Sequence, residues 1–545
     1  MFMQRAYLKI VAVIAAIALL GFSTVGNYGA SWDEGTEISI VKYNFEWIVK
    51  GREIPKDLKY YGVLFNFTAE VAYQAQQLFQ QGLNYNPLQD QTLEEGDRGV
   101  AEAIYKRLKV KHSLTFLVSL IAYIAVAGIV GILAGWEFAW IAPPFLVLLP
   151  RFWGHSFFNP KDVPFAALFT LGTWLGAYLI DRYIQAKPKY IRLGKNALTN
   201  YSILYGILIG LVTGIRVGGF FLLFFLPLTH LIVGISKGKF LHYFLSCWKF
   251  YLLIGFAWAA TTTLIHPASW SNPVQWFIAT LQYLSSHAWP GKNTFAGQSL
   301  SATEIPWYYL PQWFHITTPV IFQVTLLLAL ILLTIKYKKL NTLQQACAIL
   351  VLLQIFFLPI VAILKQSALY NGIRQFIFVL PGIAALCVIA LIWIYQTLQK
   401  KGFKLFYIAL IIVLLSPIAV DAIAVHPYEY VYFNRLAGGL KNTYGQYDHD
   451  YWGLSLREGM EWLNVNAQPN STISIGGQPY LAQMYADSHF KFLDIEEDLR
   501  YGKKGKPDYY LSMHYLNLET VFPDCPIVHQ VKRQGASLAT IKKCS

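Results

Sequence analysis

Apolar runs of membrane-spanning length recur along the chain and constrain its fold more than any other feature. An α-helix rises about 1.5 Å per residue, so roughly 20 apolar residues cross the hydrocarbon core of a bilayer. By this measure the sequence predicts a mainly α, polytopic membrane protein with about eleven transmembrane helices. The predicted spans are residues 7–26, 114–134, 136–150, 163–181, 198–215, 219–235, 250–265, 317–335, 342–364, 375–396 and 403–424.

Composition and charge agree with a membrane protein and exclude two other classes. Of the 545 residues 55% are hydrophobic and only 14% are charged, with a mean hydropathy of +0.40, which excludes an ordinary soluble domain. The net charge is +14, but the basic residues gather in short connectors between apolar runs. Basic connectors set membrane topology, so we expect no binding to nucleic acid.

The same basic residues predict which side of the membrane each connector occupies. Arg5 and Lys9 predict a cytoplasmic N-terminus, and the later basic connectors then also fall inside. The first span also fits a cleaved signal peptide, although its apolar core is long enough to cross a bilayer. The outer face receives the loops 27–113 and 266–316 and the segment from His426 onward.

The sequence pattern changes after the last predicted span, from long apolar runs to an amphipathic helix and short alternating runs, which predicts two domains. Residues 1–425 form the predicted membrane domain, and residues 426–545 form a predicted small outer α/β domain. An amphipathic helical pattern at 454–463 precedes short alternating runs that are typical of strands. Cys525 and Cys544 lie in this outer segment, where oxidising conditions permit a disulfide between them.

Asp33 and Glu34 stand just beyond the first span, where the chain first emerges into the outer compartment. A carboxylate pair so close to the bilayer suits an enzyme whose substrate is partly lipid, because it can meet a reactive head group at the membrane surface.

A second outer turn, residues 151–164, is crowded with polar and ionisable groups. The simple interpretation is that Lys161 and Asp162 help to cap the helix that follows. The functional interpretation pairs Asp162 with Asp33 across one cavity. The other polar candidates of this turn are His155 and Asn159.

With these motifs on the outer side, the chain resembles the polyprenol-phosphate-dependent glycosyltransferases of the GT-C type, in particular family 39 and protein O-mannosyltransferase-like bacterial membrane proteins. The resemblance runs along most of the membrane portion and rests on the order of the motifs and the side of the membrane on which they fall. It implies a location in the bacterial inner membrane. Besides the two outer loops, the matching segments are 210–219, 370–376, 426–434 and 450–453.

The resemblance implies a reaction in which an acceptor hydroxyl attacks a sugar carried on a polyprenyl phosphate, with inversion, and the lipid phosphate leaves. Asp33 would be the base, with a pKa open to upward tuning in a partly dehydrated cavity. Glu34 would orient Asp33 or the acceptor. Asp162 would help to bind the sugar or, together with Asp33, a divalent cation such as Mg²⁺ or Mn²⁺. The acceptor is an unknown hydroxyl, and no other cofactor is expected.

Charge on the departing phosphate calls for cations at the outer interface, and Arg216, Lys365 and Arg374 each lie at the predicted outer end of a span. The alternative for these residues is snorkelling toward lipid head groups. The sugar itself has candidate contacts in His155, Asn159 and Lys161 and in the rings of Trp270 and Trp307. For the two tryptophans the alternative is an aromatic belt at the membrane surface.

Two other classes of function remain open from the sequence. A transporter or flippase would use Arg216, Arg374 and Asp421 along a substrate path. An assembly subunit would use its outer domain to bind a partner. The acidic residues in outer loops and the folded outer segment favour the enzyme over both.

Overall fold

The computed structural model of the chain describes residues 2–82, 97–186, 197–238, 247–286, 289, 291–399, 402–493 and 506–545. Its α-helices are, in chain order, α1 (Phe2–Thr24), α2 (Glu34–Lys50), α3 (Leu64–Gln81), α4 (Asp97–Ala134), α5 (Ala142–Val147), α6 (Pro150–Phe158), α7 (Asp162–Gln185), α8 (Ala197–Ile215), α9 (Leu222–Ser236), α10 (Trp248–Ile265), α11 (Pro273–Ser286), α12 (Tyr309–Thr317), α13 (Val320–Lys336), α14 (Thr342–Leu364), α15 (Leu380–Leu398), α16 (Lys404–Val425), α17 (Gly439–Thr443), α18 (Leu456–Asn466) and α19 (Tyr480–Gln483).

Ten helical segments within the described ranges are long and apolar enough to cross a membrane. They contain α1, α4, α7 to α10 and α13 to α16. The polytopic helical fold predicted from the apolar runs is therefore confirmed, with one crossing fewer in the form of a continuous helix. Of the ten, the segment that contains α15 is the most deeply enclosed, with 94% of its most apolar window buried, and it lies at the centre of the bundle.

The predicted span at 136–150 is wrong as a single helix. The chain there forms a short 3-10 helix followed by α5 and α6, and prolines at the start of α5 and α6 interrupt the backbone hydrogen-bond ladder. The ring of Tyr7 packs on Trp136 with centroids 5.6 Å apart, and Tyr28 stacks on Phe157 at 4.2 Å. The 3-10 helix and α5 therefore pack beside α1, and α6 packs on Tyr28 just beyond its end.

The first predicted outer loop is largely helical. Asp33 immediately precedes α2, which ends at Gly51 in a left-handed conformation, φ 67°. The helix α3 turns one face inward, and both helices pack against α4. Asp33 thus lies at a fixed helix N-terminus instead of in an open loop. The buried face of α3 consists of Phe65, Asn66, Ala69 and Tyr73.

The second predicted outer loop contains a hairpin that contacts the C-terminal segment. Strands β1 (Lys292–Phe295) and β2 (Gln298–Ser301) pair antiparallel through Ala296 and Gly297, both with positive φ, as a tight hairpin turn requires. The backbone N–H of Gly297 donates to the Gln446 carbonyl at 3.0 Å. The hairpin is thereby tied to the residues that follow α17.

The C-terminal segment is the small α/β domain that its alternating pattern predicts. Its five strands are β3 (Thr472–Gly476), β4 (Lys491–Phe492), β5 (Tyr509–Met513), β6 (Ile527–Arg533) and β7 (Ala536–Lys543), in the order β4-β3-β5-β7-β6. The first three pair parallel, and β7 pairs antiparallel with both β5 and β6. Helix α18 buries Leu456, Met460 and Leu463 on one face. Cys525 and Cys544 form a disulfide with Cα atoms 4.8 Å apart.

This domain packs directly on the loop that carries Asp33. The backbone N–H of Trp32 donates to the Trp452 carbonyl at 2.9 Å, and the hydroxyl of Tyr480 donates to the Trp32 carbonyl. Both bonds fix the residue that precedes Asp33. We call the side of the helical bundle that carries the domain the domain face.

Candidate active site

Asp33 is the centre of a cluster of charged side chains on the domain face. Its Oδ2 lies 3.6 Å from Lys161 Nζ and 3.5 Å from Arg374 Nη1. The Asp33 side chain is 22% exposed, whereas those of Lys161 and Arg374 are 13% and 9% exposed. Asp33 therefore presents a carboxylate to an incoming group while its cationic partners stay behind it.

The pKa of Asp33 departs from its expected direction. Burial alone would raise the pKa of this carboxyl, but the charges of Lys161, Arg374 and Arg216 outweigh burial and hold the pKa below its usual value. The upward tuning expected from a dehydrated cavity is thus wrong, because the sequence could not show how many cations converge on the carboxylate. Asp33 stays ionised.

Asp162 is positioned by the turn that starts α7. Asn159 Oδ1 accepts a hydrogen bond from the backbone N–H of Asp162 at 2.9 Å, and Asn159 Nδ2 donates to Asp162 Oδ2 at 2.8 Å. The other carboxylate oxygen, Oδ1, lies 2.5 Å from Arg216 Nη2. Asn159 therefore closes the helix start, whereas Lys161 at the N-cap position makes no side-chain capping bond, and the turn also holds an acidic group beside a cation.

Arg216 lies where the chain leaves α8, with extended backbone angles of φ −144° and ψ 136°. This extended residue separates α8 from the short 3-10 helix that precedes α9. The Arg216 side chain is 30% exposed, and its partner Asp162 is only 4% exposed. Part of the guanidinium thus remains open to a ligand.

Arg374 is held between two aromatic rings. Its guanidinium carbon lies 4.7 Å from the ring centroid of Tyr370 and 4.8 Å from that of Trp452, which belongs to the C-terminal segment. A planar guanidinium stacks well on such faces and keeps its N–H edge free for an anion. Its Nε is buried and has no hydrogen-bond acceptor among the described residues. The stack aims a cation with a spare donor at Asp33.

Glu37 is a member of the cluster that was not predicted from the sequence. Its Oε1 lies 2.6 Å from Lys161 Nζ, and Asn66 on α3 donates a hydrogen bond to its Oε2. Burial raises the pKa of Glu37, and the charges of Lys161 and Lys111 only partly oppose this. The available signal was its spacing, since a residue four positions after Asp33 shares a face with it if the segment is helical.

Glu34 belongs to a separate ion pair. Its Oε2 lies 2.7 Å from Lys111 Nζ on α4, and His112 Nε2 lies 3.8 Å from its Oε1. The Glu34 side chain is 2% exposed. Glu34 thus joins α2 to α4, and its carboxylate faces different partners from those of Asp33.

The charges of this region balance in pairs. Four carboxylates and four basic side chains make its ion pairs. The carboxylates are Asp33, Glu34, Glu37 and Asp162, and the basic residues are Lys111, Lys161, Arg216 and Arg374.

The remaining sequence candidates take no part in the ion pairs of the cluster. His155 is buried, with Nδ1 3.1 Å from Asn159 Nδ2, so it supports the turn from behind. Lys365 is exposed at the end of α14 and takes part in none of the ion pairs found in the described ranges. Trp270 and Trp307 are 46% and 70% exposed, as in the aromatic-belt alternative, and Trp270 packs on Trp47.

The residues present do not fit a divalent cation. In the described part of the chain no group of three or more His, Cys, Asp or Glu is arranged to hold a metal ion. Asp33 and Asp162 offer carboxylates, but Lys161, Arg374 and Arg216 already pair with them. A metal would have to displace those cations.

Comparisons with known proteins give structural neighbours only. No protein-family model and no curated protein matches the chain. ArnT from Cupriavidus metallidurans, solved bound to undecaprenyl phosphate, has a TM-score of 0.48 and 11% identity over 97% of each chain. The archaeal oligosaccharyltransferase AglB from Archaeoglobus fulgidus, solved with an inhibitory peptide and a dolichol-phosphate, has a TM-score of 0.48 and 11% identity over 92% of this chain and 69% of that chain. Similarity of this size carries no argument about activity.

Proposed function

We propose that the protein is a GT-C-type membrane glycosyltransferase that moves a sugar from a polyprenyl phosphate to an acceptor hydroxyl, with inversion, on the outer face of a bacterial inner membrane. The observation that carries this proposal is the ionised, 22% exposed Asp33 carboxylate within 3.6 Å of Lys161 and Arg374. A carboxylate that can serve as the base and cations that can bind phosphate thus lie side by side on the domain face.

The cations suit a lipid-linked phosphate. Arg216 is 30% exposed and can donate to phosphate oxygens, and Arg374, 9% exposed, places a second guanidinium beside Asp33. Lys161 adds a point charge beside them. Negative charge grows on the phosphate as its bond to the sugar breaks, and fixed cations at that position lower the barrier.

Asp33 acts as the general base. The acceptor oxygen forms a bond to the anomeric carbon, the bond from that carbon to the phosphate oxygen breaks, and the acceptor proton passes to an Asp33 carboxylate oxygen. The bound donor phosphate partly neutralises the cations that hold the Asp33 pKa down. The base therefore becomes stronger when the donor is in place.

Charge neutralisation is assigned to the protein's own basic side chains. Because Asp33 and Asp162 are already paired with Lys161, Arg374 and Arg216, no step of the reaction runs through a metal ion. Lys161 and Asn159 would place the sugar, since both lie in the turn beside Asp162. Lys365, Trp270 and Trp307 would contact the donor only at its periphery.

The test is turnover of a panel of radiolabelled polyprenyl-phosphate sugars by purified protein in lipid, with membrane extract as the acceptor source. Wild type is compared with Asp33→Asn and with Glu102→Gln, which alters an exposed pair with Lys106 at 2.7 Å. We expect transfer from one donor, lost in Asp33→Asn and kept in Glu102→Gln, with equal thermal melting. No transfer from any donor would favour transport or an assembly role.

A further inference from the structure

Lys161 is shared unequally by two carboxylates of the same helical turn. Its Nζ lies 2.6 Å from Glu37 Oε1 but 3.6 Å from Asp33 Oδ2. The backbone N–H of Glu37 donates to the Asp33 carbonyl at 2.9 Å, so the two acids lie one turn apart on one side of α2. Glu37 therefore takes the closer contact with a cation that both acids can reach.

The two carboxylates differ in what can approach them. The Glu37 side chain is fully buried, and Asn66 holds its second oxygen, so it has no path to a substrate. The Asp33 side chain is 22% exposed and open to an acceptor. Glu37 can therefore influence the reaction only through the residues beside it, Lys161 and Asp33.

Resting on the proposed function, we propose that Glu37 is a positioning residue that draws Lys161 away from Asp33 and so loosens one of the two ion pairs on the carboxylate that takes the acceptor proton. Without this competitor, Lys161 would close onto Asp33 as a tight ion pair. An ion-paired carboxylate is a weaker base and is less available to a hydroxyl.

The charges that face both acids set the direction of the effect. Lys161, Arg374 and Arg216 act on Asp33, while Lys161 and Lys111 act on Glu37. Glu37→Gln removes one negative charge beside Asp33 and frees Lys161. The Asp33 pKa then falls, and because the base works only when deprotonated, the acid limb of the activity profile moves to lower pH. We expect a shift of about one pH unit and a loss of kcat of roughly threefold to tenfold.

The experiment measures kcat against pH for wild type, Glu37→Gln and the milder Glu37→Asp, together with the Kd for polyprenyl phosphate in bicelles. Glu70→Gln is the matched control, because Glu70 pairs with Arg107 at 2.7 Å on the neighbouring helices. We expect the acid limb to move in Glu37→Gln, to move less in Glu37→Asp, and to stay in place in Glu70→Gln. Polyprenyl phosphate should bind Glu37→Gln several-fold more tightly, since Lys161 has lost an anionic partner.

An unmoved acid limb with unchanged phosphate affinity in both Glu37 variants would overturn the positioning role, even if kcat or stability fell. If Glu37→Gln does not fold, the Glu37→Asp profile decides the question by the same criterion. The proposed function fails by a different result, namely no donor turnover by wild type, and the affinity measurement does not depend on turnover.

Discussion

The ion pair between Glu34 and Lys111 gives a quantitative test of how α2 is held against α4. Lys111 Nζ lies 2.7 Å from Glu34 Oε2, and the side chains are 9% and 2% exposed. Lys111→Met would leave a buried carboxylate with only His112, whose Nε2 is 3.8 Å away. Breaking a buried pair in this way costs about 3–5 kcal/mol, mostly because the remaining charge has no partner.

The double variant Lys111→Met with Glu34→Gln removes both charges and should recover about 2 kcal/mol of that loss. The assay is unfolding of the purified protein in mixed micelles with rising SDS, followed by tryptophan fluorescence, for wild type, both single variants and the double variant. A double variant whose loss equals the sum of the two single losses would refute the pairing, because independent residues show no coupling energy.

Two further predictions follow from the charge cluster. Arg216→Met should raise the donor KM at least tenfold, as expected for the loss of about 1.5–3 kcal/mol of charged hydrogen bonding. Arg216→Lys should restore only part of the donor affinity, since an ammonium lacks the planar guanidinium fork. Steady-state kinetics with a fixed acceptor would measure both KM values, and an unchanged KM would remove Arg216 from the phosphate site. Dialysis against EDTA should leave the transfer rate unchanged, because basic side chains already neutralise Asp33 and Asp162. A transfer rate that falls with EDTA and returns with Mg²⁺ or Mn²⁺ would contradict charge neutralisation by these side chains.

The sequence predicted those parts of the fold that depend on hydropathy and on alternation. Ten of the predicted spans correspond to long apolar helical segments, and the C-terminal domain has the predicted mixture of helices and strands. The prediction of one span at 136–150 was wrong because hydropathy alone does not show that prolines divide this segment into short helices. The sequence predicts a loop at 27–113, where the structure has α2 and α3, because these helices are too polar to resemble spans.

For the candidate site, the sequence predicted several of the residues that take part but not which of them form ion pairs with one another. The structure brings together Asp33, Asp162, Arg216 and Arg374, which are far apart in the chain, because several helices end on the domain face. Glu37 was missed, since only the helical path of α2 places it beside Lys161. The exposed Lys365 shows that position at the end of a span does not by itself bring a cation to the cluster.

In the proposed reaction Asp33 removes the acceptor proton, and other residues bind the donor phosphate. The most direct measurement determines, for Asp33→Asn, both the Kd for polyprenyl phosphate and the single-turnover rate at saturating donor. We predict an affinity equal to or tighter than that of wild type, because a carboxylate beside the phosphate is lost, and a rate lower by about 10²–10⁴-fold. A single-turnover rate close to that of wild type with a weakened Kd would contradict the account, since Asp33 would then serve binding and not proton transfer.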